Sequence, residues 1–273
     1  YMKYLILVIT FGILISGCSN NTNTSEKHNL KGKVKKLTEF TYYSETEFGD
    51  VVKGSVKEKK ESNFSEEYNL DGKLKERITY TTSKNPDHKY YYFYSEDDQL
   101  IKIEHRDGLD DDLFTTSNYT YDGDLLIQII EEYPKEEGGE LKVKTTYEYN
   151  QKGKIIHIHS YNHYYEELVF DRTYNYNENS KLISIEIKGD EDIGEVEYYD
   201  VFERLAKKEN IFEREVYHYN DDMLLVKKEI IDRDGSKEII RYEYQFDENG
   251  NWVTKHESGD DRGYITERTI EYF

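Results

Sequence analysis

The sequence predicts an all-β protein: a repetitive antiparallel β-hairpin meander of about eight similar repeats, forming an elongated or curled sheet. Three observations predict this class. A short tyrosine-containing unit recurs along the chain, tyrosine is frequent, with 28 residues, and alanine occurs once, at Ala206. Because alanine is the strongest helix former, a mainly helical fold is disfavoured in a chain that almost lacks it.

The first 17 residues have the three-part order of a signal peptide. Lys3 supplies a basic start, residues 4–15 are almost continuously apolar, and small residues follow. An apolar stretch of about 12 residues is too short to cross roughly 30 Å of hydrocarbon as a helix, which disfavours a permanent transmembrane anchor. We therefore expect residues 1–17 to be removed.

The sequence Ile15-Ser16-Gly17-Cys18 closes this segment and resembles the lipobox of bacterial lipoproteins. The resemblance implies that Cys18 becomes the new N-terminus and carries a lipid, which attaches the chain to a membrane. The alternative is an ordinary secretory signal with a chance cysteine. An exported chain with this single cysteine has no disulfide partner for it, so lipidation of Cys18 is the favoured interpretation.

Residues 18–29 are rich in Asn, Thr and Ser, a composition typical of a flexible tether. Its average span is about 18 Å. The lipobox resemblance also implies a bacterial cell envelope, and Ser19 after the cysteine implies sorting to the outer membrane. In some lipoproteins of the Bacteroidetes an acidic cluster directly after the cysteine sends the protein to the cell surface. Cys18 is not followed by such a cluster, so the resemblance implies that the folded part faces the periplasm.

Residues 30–273 are predicted to form one β-repeat domain. Its unit is aromatic, any residue, aromatic, Asn or Asp, two or three turn residues, and a branched apolar residue. The clearest copies span residues 147–155 and 174–182, and others begin at Tyr68, Tyr92, Tyr119, Tyr199, Tyr217 and Tyr244. Successive copies are separated by about 25 residues, a spacing typical of repeat proteins.

Each copy alternates as a β-hairpin does. Val143, Tyr147 and Tyr149 fall on one face of a strand, and Lys144 and Glu148 fall on the other. Tyrosines at i and i+2 therefore point the same way in successive copies. We expect them to stack between repeats, with each pair contributing about 0.2 to 1 kcal/mol, and to form the core of the sheet.

These units resemble the YD or RHS repeats of bacterial exported proteins. Residues 242–252 are most similar to the version found in small lipoproteins of the Bacteroidetes, and residues 30–35 are similar to the way such chains begin. The resemblance implies a long antiparallel sheet, elongated or curled like the RHS shell, and no catalytic residues. The large RHS toxins enclose a toxic C-terminal domain, of which this sequence shows no sign.

The net charge of −20 excludes nucleic-acid binding, because the negatively charged phosphate backbone of DNA or RNA repels such a chain. Much of this charge lies in the connections between copies, including residues 136–140 and 190–192. Calcium binds six to eight oxygens, and the candidate ligands are Asp107, Asp110, Asp111 and Asp112. The alternative is a solvated, mutually repelling edge that keeps sheets apart.

A second metal candidate is the histidine pair His157 and His159. Residues at i and i+2 share a strand face, so two imidazoles can share a zinc ion if a neighbouring strand supplies a third ligand. His163 follows on the same segment. The alternative is a set of exposed strand histidines without a metal.

The sequence indicates no enzyme and no cofactor. No Gly-x-Ser-x-Gly elbow, His-Glu-x-x-His helix or phosphate-binding glycine loop is present in it. A glycosidase needs only two carboxylates at a fixed separation, and acidic residues are too abundant here to indicate one. Residues 90–94, Tyr161, Tyr164 and Tyr165 are candidates for stacking on sugars or gripping a protein, although packing between repeats also explains them.

The leading hypothesis is a lipid-anchored β-repeat protein that acts as a structural or binding scaffold in the cell envelope. Its expected partners are the membrane, through the N-terminal lipid, and an unknown protein or glycan ligand. The alternatives are an envelope glycan hydrolase and, by family analogy only, an immunity or protective partner of a secreted toxin.

Overall fold

The computed structural model describes residues 28, 30–58, 62–133, 142–163, 166–189, 194–260 and 263–273. Cys18, residues 136–140 and 190–192, Tyr164 and Tyr165 lie outside these ranges, as does the tether except for His28. Within them the chain forms nineteen strands: β1 (Val34–Glu47), β2 (Asp50–Val56), β3 (Phe64–Tyr68), β4 (Leu74–Tyr80), β5 (Pro86–Tyr94), β6 (Leu100–Asp107), β7 (Leu113–Asp122), β8 (Leu125–Glu132), β9 (Lys142–Tyr149), β10 (Ile155–Asn162), β11 (Glu167–Tyr176), β12 (Leu182–Gly189), β13 (Glu195–Tyr199), β14 (Leu205–Glu209), β15 (Glu213–Tyr219), β16 (Leu225–Asp232), β17 (Lys237–Phe246), β18 (Trp252–Ser258) and β19 (Gly263–Tyr272). Nowhere in this described part is there a helix with the length and apolar character needed to cross a bilayer.

Strand β1 closes the sheet into a ring. Every strand from β3 to β18 pairs antiparallel with the next one. Leu37 of β1 lies opposite Ile270 of β19 on one side and opposite Glu66 of β3 on the other. Across the described ranges, all strands except β2 therefore form a closed antiparallel barrel, and β2 extends the second half of β1, with Val51 opposite Thr46.

The predicted all-β class is confirmed, but the predicted open sheet, elongated or curled, was wrong. An open sheet leaves two edge strands with unpaired backbone N–H and C=O groups. Here β1 covers both edges, since its two sides pair with β3 and β19. The repeat pattern describes each hairpin and its neighbour, and it contains no information about where the first and last strands meet.

The two faces of the wall differ sharply. Directly paired residues share a face, so the register can be followed around the ring from Phe64, Glu66 and Tyr68. One face carries nearly all of the buried side chains, among them Leu37, Phe64, Tyr68, Leu74, Tyr90, Ile103, Leu126, Val143, Ile155, Ile158, Phe170, Ile185 and Ile240. We assign this face to the barrel interior, the inner face, because side chains converge on the concave side of a closed sheet.

The inner face is held together by tyrosine hydroxyls. In six repeats one tyrosine, the second aromatic residue in all but the last of them, donates a hydrogen bond to a backbone carbonyl near the start of an outgoing strand in the preceding hairpin. These bonds are Tyr94 to Leu74, Tyr121 to Leu100, Tyr149 to Leu126, Tyr176 to Ile155, Tyr219 to Leu205, and Tyr244 to Leu225. The tyrosines thus pack one repeat against the next and use their polar atoms internally.

The Asn or Asp of each repeat shapes the turn that follows it. In residues 150–154 the side-chain oxygen of Asn150 accepts hydrogen bonds from the N–H groups of Lys152 and Lys154, at 2.9 and 3.1 Å. Gly153 has a φ of 72°, the left-handed conformation that glycine adopts without strain. The same arrangement recurs at residues 69–73, 177–181, 200–204 and 247–251.

Antiparallel pairing separates the two kinds of connection. The repeat turns, including 69–73, 150–154, 200–204, 220–224 and 247–251, lie at one end of the barrel, which we name the turn end. The connections between one hairpin and the next, including 81–85, 107–112, 210–212 and 232–236, lie at the other end, the connection end. This is the separation expected for a meander of hairpins.

Candidate functional site

The predicted calcium ligands lie on the connection between β6 and β7. The Asp107 carboxylate accepts hydrogen bonds from the N–H groups of Leu109 and Asp110, at 2.7 and 2.9 Å. These bonds hold the pKa of Asp107 below its usual range. The Asp107 carboxylate therefore stabilises the backbone conformation of the loop in which it lies.

The other acidic side chains of this loop do not converge with Asp107. Asp111 lies 3.1 Å from the Lys89 ammonium and accepts a hydrogen bond of 3.4 Å from the Tyr91 hydroxyl. Asp112 accepts the Asp107 N–H through its backbone carbonyl. Across the described residues, no group of three or more His, Cys, Asp or Glu side chains is arranged to hold a metal ion.

The predicted histidine pair lies on the outer face of β10, as part of a row of rings. His157, His159, Tyr161 and His163 follow one another at every second residue, and we name them the ring stripe. The His159 and Tyr161 rings stack at 12° with centroids 6.3 Å apart, and the His163 ring meets Tyr161 edge-on at 5.3 Å. Period-two alternation of the strand places the first three on one face, and His163 follows directly after the end of the strand.

Neighbouring strands place polar groups beside the ring stripe. On β11, Asp171 lies opposite His159, and one of its oxygens is 2.9 Å from His157 Nε2 and 3.0 Å from His159 Nδ1. On β9, Thr146 lies opposite His159 and Lys144 lies opposite Tyr161. Lys144, Thr146, His159, Tyr161 and His163 line a shallow cleft of about 230 Å³.

The cleft combines flat rings with the Lys144 ammonium and the Thr146 hydroxyl, and the Asp171 carboxylate lies next to it, beside His157 and His159. Ring faces stack on apolar faces of a ligand, and the polar groups orient the ligand by hydrogen bonds. The sequence pointed to His157 and His159 but missed Asp171, Lys144 and Thr146. Only the hairpin register brings those residues beside the rings; the alternation of β9 and β11 was the available signal.

A second cluster, of buried charges, lies on the inner face where the ring closes. The Glu66 side chain is 2% exposed, and its carboxylate accepts hydrogen bonds of 2.5 Å from Arg77 and from the Tyr68 hydroxyl. His28 Nε2 lies 2.8 Å from it, and the His28 ring stacks on Phe64 at 5.7 Å. The cluster thus joins the segment before β1 to the closing strands.

The electrostatics of Glu66 follow from this setting. Burial by itself raises its pKa, but the hydrogen bond and charge of His28, the charge of Arg77 and the Tyr68 hydrogen bond together lower it to about 2. Nearby, Arg268 pairs with Glu39 at 2.8 Å and stacks 3.4 Å from the Trp252 ring centroid. These charges have partners within the barrel and connect strands that meet where the ring closes.

No protein-family profile and no curated protein matches the chain, so the resemblance to YD and RHS repeats stays a prediction. Among solved structures it is similar to a porin-like protein from Bacteroides uniformis, with 15% identity, a TM-score of 0.43, and coverage of 89% of this chain and 98% of that one. It is also similar to a porin-like protein from Bacteroides vulgatus, with 12% identity, a TM-score of 0.39, and coverage of 88% of this chain and 98% of that one.

The chain is also similar to part of the structure of TcdB2-TccC3, with 12% identity and a TM-score of 0.36. The match covers 81% of this chain and spans only 15% of the other chain's length. Because all three TM-scores are below 0.5, these likenesses identify neither a family nor a function for this protein.

Proposed function

We propose that this protein is a lipid-anchored, non-catalytic binding protein of the bacterial cell envelope. The observation that carries the proposal is the sequence Ile15-Ser16-Gly17-Cys18, which places a cysteine directly after a signal-like segment. Lipid on Cys18 and the tether of residues 18–29 then hold the barrel at the outer membrane, facing the periplasm.

The outer face of the barrel supports attachment by lipid rather than by the wall itself. Glu104 pairs there with Lys102 at 2.7 Å and with Arg106 at 2.8 Å. A barrel wall that contacts hydrocarbon carries an apolar outer band instead. An outer wall that carries ion pairs is suited to contact with water. The N-terminal lipid is therefore the proposed membrane attachment.

The ring stripe supports glycan binding as the activity of the folded part. Tyr161, unlike the inner tyrosines, lies on the outer face between two imidazole rings. Stacked rings with Lys144 and Asp171 on either side match the alternating apolar faces and hydroxyl edges of a sugar chain. In the periplasm the polymer of this chemistry is the glycan of the cell wall.

The anchor is tested with Cys18→Ser in cells supplied with a labelled fatty acid. We expect the wild type to incorporate label and sediment with membranes, and the variant to remain unlabelled and be recovered in the soluble fraction. A wild-type chain that is unlabelled and soluble would contradict the anchor.

Binding is tested by co-sedimentation with isolated peptidoglycan. We expect Tyr161→Ala to lower affinity about tenfold, because a stacked ring contributes about 1 to 1.5 kcal/mol. The matched control is Tyr198→Ala on the outer face of β13, a residue whose ring lies under Lys207. Equal losses in both variants would contradict the ring stripe as the site, and release of soluble sugar fragments would contradict the non-catalytic assignment.

A further inference from the structure

The segment that leads to the proposed anchor meets the barrel at its turn end. Lys31 N–H donates to the Asn251 side-chain oxygen at 2.6 Å, and the Asn251 amide donates back to the Lys31 carbonyl at 2.9 Å. Asn251 belongs to the repeat turn of residues 247–251. Phe273 N–H donates to the Lys33 carbonyl at 3.0 Å. The chain therefore passes from the tether into the barrel at this end.

Exposed apolar side chains occupy repeat turns on both sides of that entry point. Leu70, between β3 and β4, is 65% exposed, and Val201 and Phe202, between β13 and β14, are 77% and 63% exposed. Met223, between β15 and β16, is 45% exposed. Exposing large apolar side chains to water is unfavourable, and a polar residue would fit at the tip of such a turn.

The rest of the turn end is different. The tips between β5 and β12 carry Glu96, Asp97, Asp124, Gln151, Lys152, Glu178 and Asn179. The apolar tips are thus confined to the arc from β13 through β19 and β1 to β4, where they lie on both sides of the entry point of the tether and of the polar tip Glu248–Asn249 next to it. This arc, represented by Leu70, Val201, Phe202 and Met223, is named the apolar arc.

The length of the tether places this arc close to a membrane. Cys18 and His28 are ten positions apart in the chain, which corresponds to a distance of at most about 35 Å when extended and of about 17 Å on average. A lipid on Cys18 therefore keeps the turn end within reach of the bilayer surface, with the apolar arc on the same side as the attachment.

We infer that the apolar arc is a membrane-contact surface whose side chains enter the interfacial region of the bilayer. The inference rests on the proposed lipid anchor at Cys18. Asp221 and Asp222 precede Met223 in the same turn, and their charge is repelled by anionic headgroups. The arc therefore fits a zwitterionic surface such as phosphatidylcholine better than an anionic one.

The chain contains a matched control for this surface. Ile211 and Phe212, which are 60% and 56% exposed, lie on the connection after β14. Val201 and Phe202 lie on the turn before β14, so two similar dipeptides occupy opposite ends of one strand. If exposed apolar groups simply bound lipid, both dipeptides would contact the membrane equally. Contact through the apolar arc predicts that Phe202 reaches the membrane and that Phe212 does not.

The test uses the full-length lipoprotein with an environment-sensitive NBD label on Phe202→Cys or Phe212→Cys, in phosphatidylcholine vesicles that contain a spin-labelled quencher lipid. We expect quenching at position 202 to exceed that at position 212 by about threefold or more, as for an apolar group at the headgroup boundary. Met223→Cys and Leu109→Cys form a second pair at the turn end and the connection end, in case either first variant folds poorly.

Equal quenching at the two ends, or stronger quenching at position 212, would overturn the membrane contact. A blue-shifted emission at position 202 that persists without vesicles would also overturn it, because a second copy of the chain would then cover the arc. Flotation of the same samples separates the two proposals. A chain that floats but shows equal quenching contradicts only the contact, whereas a chain that fails to float contradicts the anchor and the contact together.

Discussion

The inner and outer faces of the barrel wall hold similar carboxylates in different surroundings. Glu66, on the inner face, is 2% exposed and bonded to Arg77, whose side chain is 7% exposed. Glu229, on the outer face, pairs with Lys227 and Lys237, which are 35% and 44% exposed. The pKa of each carboxyl is about 2.

The common pKa has different causes on the two faces. For Glu229, hydrogen bonds from Lys227 and Lys237 lower it, and solvent and salt screen that interaction. For Glu66, close partners outweigh a large opposing effect of burial. The comparison shows that a depressed pKa alone does not identify a carboxylate that is important for stability. The loss of stability on removing the carboxylate depends on whether its cationic partner is then left buried, as for Glu66, or solvated, as for Glu229.

Alkaline pH is expected to have the largest effect, because it charges many inner tyrosines together. Burial raises the pKa of Tyr121, Tyr149 and Tyr176 to about 12, from 10.0 for an exposed tyrosine. Because the folded-state pKa is raised, their stabilisation is fully present below pH 10.0 and is lost as the pH rises through 12. We expect tyrosinate absorbance and loss of circular dichroism to change together in this window; gradual ionisation with the fold intact would contradict an enclosed tyrosine face.

Glu66→Gln is expected to have the next largest effect. The substitution leaves the buried Arg77 guanidinium without this carboxylate, which costs about 3 to 5 kcal/mol of the free energy of unfolding. The matched outer substitution Glu229→Gln should lower that free energy far less, because solvent screens its pairing with two exposed lysines. Urea unfolding of both variants measures the difference, and similar losses would show that the two faces are equivalent.

Acid pH should remove the stabilisation by Glu66 progressively. Its pKa is 4.5 when unfolded and about 2 when folded, so the stabilisation is fully present above pH 4.5 and is lost as the pH falls towards 2. The shift corresponds to about 3 kcal/mol. Unfolding curves of the wild type and Glu66→Gln should converge on acidification, and a constant gap down to the lowest pH would contradict the assignment.

Tyr149→Phe should give a smaller effect, confined to the inner face. It removes the hydroxyl that donates to the Leu126 carbonyl at 2.6 Å, and we expect a loss of about 1 kcal/mol. Tyr161→Phe on the outer face is the control and should change stability by no more than about 0.5 kcal/mol. Thermal unfolding of both variants provides the measurement, and an equal loss in each would contradict the specific role of the inner hydroxyls.

Part of the candidate site follows from the sequence. Period-two alternation placed His157 and His159 on one face of a strand, and the same rule extends to Tyr161. Asp171 was missed because its position beside the imidazoles depends on the register between β10 and β11, which includes an irregularity between Ser160 and Tyr161. A one-residue slip in such a register moves every side chain to the other face.

The buried charges were harder to predict. In the segment Phe64–Tyr68, alternation places Glu66 on the face of the two aromatic residues and Glu67 on the other face, but nothing local shows that a charged side chain is enclosed there. Arg77 lies opposite Glu66 on β4, and His28 reaches it from before β1. The burial of Glu66 follows from three separate parts of the chain meeting at the closure, which a local pattern does not contain.

The strands, the turns and the tyrosine-bearing face follow from local sequence. These features depend on residues within one hairpin: alternation orients the side chains, and an Asn or Asp followed by a left-handed residue closes the turn. The closure of the sheet, the choice of the inner face and the burial of particular charges follow from the tertiary fold instead. Those outcomes depend on β1 pairing with β19, where Leu37 meets Ile270, and pairing between strands so distant in sequence is set by the geometry of the whole ring.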